Sequence, residues 1–395
     1  MSNPAQGPPP HLQTLDMPTL DVPLPSVPLP GVPLLNVPAL SRPALNLPAL
    51  RGHNASVVLG LLRGHGGVSR GELADRSGLT PQAISKIVAR LRAEGLVTQA
   101  GRGEPTGGKP RTLLRLVPEA GYAAGVHLDR HRLTALVADL AGRQVASTDA
   151  PFELAREPRT VLAEIAARVR EVASLVPDGR LLGVGVGCPG PLDHTAGVLH
   201  RVPRLPQWDG FPLRAALTAL LGVPVLLDKD TNAAVLAEPE RTVGSSAYVH
   251  LGSGLGAGLV LDGVLYRGVR AHAGEFGHQT VQLDGPACAC GNRGCLEALC
   301  LAALRVGDTE GAARVLGTGV TNLVRLLDID RVVLGGYVVL AAPQVFVHGV
   351  ATQLAERLPE VRCQEVLVTV ARAGERAVAA GAAEMVLAPL FGRSA

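Results

Sequence analysis

The chain has 395 residues with a formal net charge of +3, 47% hydrophobic, 18% charged and 3% aromatic. That length has room for about two or three domains, each burying its own core, and the near-neutral balance excludes a generally basic surface, so any nucleic-acid contact must be local. No apolar run is long and uninterrupted enough to span a bilayer, and six cysteines without a signal peptide predict a soluble protein in a reducing cytoplasm.

Prolines recur every five residues from Pro18 through Pro23, Pro28, Pro33, Pro38 and Pro43 to Pro48. Proline removes a backbone donor and disfavours helix in the residue before it, so neither a helix nor an internal strand fits. Residues 1–50 are expected to form an extended, disordered extension, read as a low-complexity tail or, alternatively, as a docking tether.

Residues 51–117 change character. Asn54 is placed to cap a helix with apolar residues Val57, Val58, Leu61 and Leu62 at helical spacing. Ser69 and Glu72 form a capping box for a second helix ending at Ser77, and Gly78-Leu79 supplies the turn. Thr80 caps a third helix with Pro81 at its first position, whose stripe Ile84, Ile87, Val88 and Leu91 faces inward. Its other face, with Gln82, Ser85, Lys86 and Arg90, is what a recognition helix presents to the major groove. Leu96-Val97-Thr98 and Leu113 to Leu116 can pair as strands around a Gly-rich loop. That loop is a wing, with Arg102, Lys109 and Arg111 placed to meet phosphate or the minor groove. The alternative is a small three-helix interaction module with a solvated basic face.

Residues 118–244 predict a first α/β lobe. Ala123 to Leu128 and Leu133 to Asp139 read as a hairpin, followed by a helix over 159–175 and a buried strand from Leu182 to Cys188. Strands alternating with helices predict a parallel or mixed sheet with covered faces. The strand Val223 to Leu227 delivers Asp228-Lys229-Asp230 to the sheet's carboxyl edge, where ligands usually sit. Asp230 there is a ligand hydrogen-bonder or the N-cap of the next helix.

Residues 245–395 predict a second lobe, opening on Tyr248 to Leu251 and the glycine-rich turn Gly252 to Gly258, which reads as tight sheet packing or as a weak phosphate signal. Then come His272-Ala-Gly-Glu275-Phe-Gly277-His278 and Cys288-Ala-Cys290-Gly-Asn-Arg-Gly-Cys295-Leu-Glu297. His278 with Cys288, Cys290 and Cys295 supplies one nitrogen and three sulfur donors, a closed tetrahedral zinc set with no open position and therefore structural. Ordinary buried cysteines or disulfides are the alternative, although Cys288 and Cys290 are too close for an easy mutual bridge. Glu275 and Glu297, on the loop such a metal would fix, could accept hydrogen bonds from a polyol. Cys188, Cys300 and Cys363 read as small buried apolar residues.

Glu-x-Gly-His followed by Cys-x-Cys-Gly-x-x-Gly-Cys-x-Glu resembles the ROK family of bacterial sugar-responsive repressors, open reading frames and sugar kinases, over about residues 51–395. The resemblance implies a two-lobed α/β domain of actin-like ATPase (ribonuclease H-like) architecture behind an α+β winged helix-turn-helix. It implies that Glu275, His278 and Glu297 touch sugar and that Asp230 stands at the family's catalytic-base position. The family's Asp-x-Gly-Gly-Thr phosphate turn is replaced here by residues including His127, Asp129, Arg130 and His131. Asp129 and Arg130 block close backbone approach, and Asp129 would repel phosphate, so ATP binding is expected to be lost and Asp230 to be vestigial. Arg204 and Lys229 stand where the family offers asparagines, which suits an acidic effector; the alternative pairs Lys229 with Asp228 and leaves Arg204 in solvent. The helical region after Glu297 is shorter than is usual in the family. The expectation is a sugar-responsive regulator that binds a DNA operator as a homodimer or higher homo-oligomer and is not an enzyme. The alternatives are a ROK sugar kinase with an added DNA-binding head, or a ligand-blind DNA-binding dimer.

Overall fold

The structure, a computed structural model, describes residues 52–102, 111–200, 205–238, 244–358 and 366–393. The prolyl repeat, the wing tip with Lys109, and Arg204 and Cys363 lie outside the described residues, as does the side chain of Arg102.

The N-terminal head contains α1 (His53–Leu62), β1 (Val68–Ser69), α2 (Arg70–Ser77), α3 (Pro81–Ala93), β2 (Val97–Arg102) and β3 (Thr112–Leu116). The expected Asn54 cap is corrected. The Gly52 carbonyl accepts from the Ala55 and Ser56 amides at 2.8 and 3.1 Å, so α1 begins one residue before Asn54, with Gly52 at the cap and no side-chain capping bond. The other two signals hold. Ser69 and Glu72 exchange both bonds of a capping box at 2.7 and 3.3 Å, and α2 stops where Gly78 turns left-handed at φ +69°. The Thr80 hydroxyl accepts from the Ala83 amide at 3.2 Å, with Pro81 opening α3. Ile84, Val88 and Leu91 are buried and Ile87 half-buried, against Val58, Leu62, Leu73 and Leu114. β2 and β3 pair antiparallel from Val97↔Leu116 to Arg102↔Thr112, forming the base of the wing.

The first lobe follows with β4 (Tyr122–Leu128), β5 (Arg132–Asp139), β6 (Gln144–Pro151), α4 (Pro158–Ala173), β7 (Leu181–Cys188), β8 (Leu192–Asp193), β9 (Val198–Leu199), α5 (Leu213–Leu221), β10 (Val225–Lys229) and α6 (Asp230–Leu236). Its main sheet has the order β10-β7-β4-β5-β6, parallel through β10, β7 and β4 and antiparallel beyond. The second lobe has β11 (Ser246–Leu251), β12 (Leu255–Leu261), β13 (Val264–Tyr266), α7 (Leu296–Arg305), α8 (Thr309–Leu327), β14 (Arg331–Gly335), α9 (Tyr337–Ala341), α10 (Pro343–Arg357) and β15 (Leu367–Val370). Its sheet, β13-β12-β11-β14-β15, repeats the same pattern: antiparallel through β13, β12 and β11, parallel through β11, β14 and β15. The chain closes with α11 (Ala377–Leu387), which packs on β4, β7 and α6.

One apolar core lies between the first sheet and α4 and α5, and a separate one lies between the second sheet and α7, α8 and α10. A third runs without a break from Val58 and Leu62 of the head through Leu136, Ala138 and Leu182 of the first sheet to Leu387, Leu390 and Phe391. Among the described residues no helix is long and apolar enough to cross a membrane.

Candidate functional site

Both sheets deliver their polar ends to a cleft of about 560 Å³. The β4–β5 turn lines it with Asp129, Arg130 and His131, the end of β10 with Lys229 and Asp230, and the second lobe with His250, Glu275, His278, Cys288, Cys290, Glu297 and Arg305. The residues expected around a ligand, Arg204 apart, are therefore brought together.

Alternation along β10 sends neighbouring side chains to opposite faces. Asp228 is buried and accepts from Arg267 Nε and Nη2 at 2.8 and 2.7 Å and from Asn232 Nδ2 at 2.8 Å. Lys229 is also buried, but its Nζ donates to the Ala273 carbonyl at 2.7 Å and lies 3.4 Å from Glu275 Oε1. The pairing of Lys229 with Asp228, kept open above, is thus corrected: β10 hands Asp228 to Arg267 and Lys229 to Glu275, and both staple its end to the loop that leads into the cysteine cluster. The sequence held only the alternating charges of Asp228-Lys229-Asp230, which do not say which partner each finds.

Asp230 is the first residue of α6, with Lys229 at the cap, and its carboxylate accepts from the Thr231 amide at 2.6 Å. Burial raises its pKa, opposed by His250 and Lys229. Glu297, in the first turn of α7, accepts from the Leu255 amide at 2.8 Å, which ties it to the glycine-rich turn. A Cβ at Gly258 would overlap the Thr231 carbonyl, so this glycine lets β12 approach α6, in keeping with the packing reading of the turn.

Across the cleft, Asp129 Oδ1 accepts from Ser253 Oγ at 3.0 Å and from the Arg130 amide at 2.7 Å. The Asp129 carboxylate of the β4–β5 turn therefore bonds across the cleft to the second lobe. Behind it the half-buried His127 ring meets His250 edge-on at 6.2 Å between centroids. Burial, then the charge of His250, push the His127 pKa down to about 4.

His278 ends a short 3-10 helix over Phe276–His278. It, Cys288, Cys290 and Cys295 place their ligand atoms within 4.8 Å of one another. His278 Nδ1 lies 3.6 Å from Cys288 Sγ, and Cys290 Sγ lies 3.6 Å from Cys295 Sγ, too far for a disulfide. All of these thiols are free, as are the buried Cys188 and Cys300. Burial raises the Cys295 thiol to about 12. Three crowded thiols and an imidazole nitrogen fit a soft tetrahedral ion, which would favour their thiolate forms.

In the head, Gln82, Ser85, Lys86 and Arg90 are all exposed on one face of α3, and Arg111 is exposed at the foot of the wing. Thr80, expected with them at the DNA, is exposed at the start of α3, where its hydroxyl accepts from the Ala83 amide and keeps its own O–H free to donate. The bond that joins head to body was not legible in the sequence: Arg63, just past α1, makes a forked ion pair with Glu384 of α11 at 2.8 and 2.7 Å.

A winged helix-turn-helix head on two ribonuclease H-like lobes around a polar cleft defines an actin-like body with a winged-helix domain. Residues 123–305 match the ROK family and residues 52–108 the MarR family. A ROK hexokinase from Thermus thermophilus is 31% identical, with 67% of this chain covering 97% of it at a TM-score of 0.54. The chain belongs to the ROK family and carries a MarR-type winged helix at its N-terminal side. A ROK transcriptional regulator, described as a homologue of the E. coli MLC protein, shares the fold at a TM-score of 0.69 and 24% identity, over 86% of this chain and 98% of that one. The xylose repressor of Caldicellulosiruptor bescii is 29% identical over 58% of this chain and 59% of that protein. The transcriptional dual regulator NagC of Escherichia coli is 30% identical over 62% of each. The chain spans about 60% of the length of such curated relatives.

Proposed function

We propose that this protein is a sugar-responsive, DNA-binding transcriptional regulator. The observation that carries the reading is the presence in one chain of an exposed polar recognition face, Gln82, Ser85, Lys86 and Arg90, and a cleft into which Asp230, Glu275 and Glu297 project acceptors for hydroxyl groups. Relatives named as repressors of xylose and N-acetylglucosamine systems support it. Glu275, Glu297, His278 and Asp230 bind the sugar, and the Lys229 ammonium is already matched by Glu275, which favours a neutral sugar over an acidic one. Zinc is held by His278, Cys288, Cys290 and Cys295, and its role is to fix the loop that carries Glu275. The protein acts without phosphoryl transfer: Asp129 holds a negative charge where ATP phosphates would sit, and its bond to Ser253 occupies that turn. As a homodimer it would present two heads to two half-sites of an operator, and lobe movement on ligand binding would alter their spacing. Operator binding measured across matched neutral and phosphorylated sugars tests the reading. No duplex binding, or binding that no sugar alters, would overturn it.

A further inference from the structure

The head is not tethered to the body by a loose linker. Its core is continuous with the face of the first sheet on which α11 packs, and Arg63 and Glu384 are 8% and 11% exposed where they pair. The Arg63 guanidinium also lies over the Phe391 ring at 4.3 Å, while α1 approaches so closely at Gly60 that a Cβ there would sit 2.9 Å from the Phe391 carbonyl oxygen.

α11, which carries Glu384, is seated backbone against backbone. A Cβ at Gly125 of β4 would overlap the Ala379 carbonyl, one at Gly185 of β7 the Ala382 carbonyl, and one at Gly381 of α11 the Ala233 carbonyl of α6. Side chains can absorb a displacement by changing rotamer, whereas contacts between bare backbones cannot, so packed elements of this kind shift together. α6 itself begins at Asp230 on the cleft wall. An unbroken series of rigid contacts therefore runs from Asp230 along α6, across Gly381 into α11, and through Glu384 to Arg63.

We propose that α6, α11 and the Arg63–Glu384 pair form a relay that converts occupancy of the cleft at Asp230 into a reorientation of the DNA-binding head. The relay rests on the regulator reading and adds its route. Arg63 and Glu384 are positioning residues, touching neither DNA nor ligand, and the head turns as an extension of α11.

The test needs no identified ligand. Amide hydrogen exchange of α1 is followed in the full zinc-loaded chain for the wild type, Asp230→Asn, Glu384→Gln and the double variant, with near-ultraviolet dichroism confirming that each is folded. Neutralising Asp230 perturbs the cleft end of the relay, and removing the forked acceptor breaks the head end. Asp230→Asn is expected to change α1 exchange by about fivefold or more in the wild-type background and by less than about twofold beside Glu384→Gln. Arg63→Lys, which keeps the charge and loses the fork, takes the place of Glu384→Gln if that variant does not fold. An α1 unmoved by Asp230→Asn, or moved equally in both backgrounds, overturns the relay. Duplex binding by the wild type, measured on the same samples, decides the regulator reading separately.

Discussion

Lys229 and Glu275 meet inside the cleft with Nζ 3.4 Å from Oε1, the lysine side chain 7% exposed and the glutamate 44%. The pair is lopsided. Glu275 can regain water if its partner is lost, whereas Lys229 would keep only the Ala273 carbonyl and the neighbouring Asp230 charge, and an under-compensated buried charge is the costly case. Glu275→Gln should therefore destabilise the fold by about 2–4 kcal/mol, against about 1 kcal/mol or less for Lys229→Met, where a methionine fills the same volume. Urea unfolding of the two variants reads the difference. A larger loss for Lys229→Met would mean that the ammonium is not sealed in as described.

Metal removal has a local prediction. The four donors within 4.8 Å should hold about one zinc per chain by four-ligand logic, and Cys290→Ala should lower both metal content and the unfolding temperature. Elemental analysis of the purified variant checks this. Full zinc occupancy in Cys290→Ala would remove that residue from the set.

For DNA, residues of the recognition face and residues of the wing should fail differently. Gln82→Ala and Ser85→Ala are expected to change base preference at individual operator positions by about 1–3 kcal/mol. Arg102→Ala and Lys109→Ala should weaken all sequences alike and reduce the salt slope by about one unit each. Binding titrations at several salt concentrations separate the two, and four variants that bind as the wild type does would remove the head from the DNA.

The half-buried, desolvated His127 makes stability depend on pH. Its folded pKa of about 4 lies below the reference value of 6.5, so between these two values the unfolded chain binds a proton that the folded chain refuses. Stability from this group is then full above pH 6.5 and declines as pH falls toward 4, with a slope of at most about 1.4 kcal/mol per pH unit. Unfolding free energies at pH 7 and pH 5 should differ less for His127→Asn than for the wild type. An equal difference would show that His127 is not held neutral.

Phosphoryl transfer is expected to be absent. Incubation with ATP and a hexose panel should release no sugar-dependent ADP, because Asp129 bonds to Ser253 at the turn that would cradle phosphate. ADP release that Asp230→Asn abolishes would identify a working kinase instead.

The sequence alone determined the features that depend on neighbours a few residues apart. The Ser69–Glu72 capping box, the Thr80 cap, the buried stripe of α3, the β2–β3 wing base, the patterning that placed the β4–β5 hairpin and the apolar run that placed β7 are all written in spacing, since capping and amphipathicity are short-range. The candidate donor set His278, Cys288, Cys290 and Cys295 was legible in the same way, because its members all fall between β13 and α7. Asn54 shows the limit even locally, because the Gly52 carbonyl took the first helical bonds before the better capping side chain could. What only the tertiary structure decided were the pairings between distant segments. Lys229 turned from adjacent Asp228 to Glu275, 46 residues on, because the pleat separates neighbours and the fold brings the loop across. Arg63 met Glu384 across 321 residues, and α11 settled against glycines of β4 and β7 whose lack of a side chain carries no address. Such contacts are chosen by which surfaces the packed lobes leave facing each other, and no local pattern of residues encodes that choice.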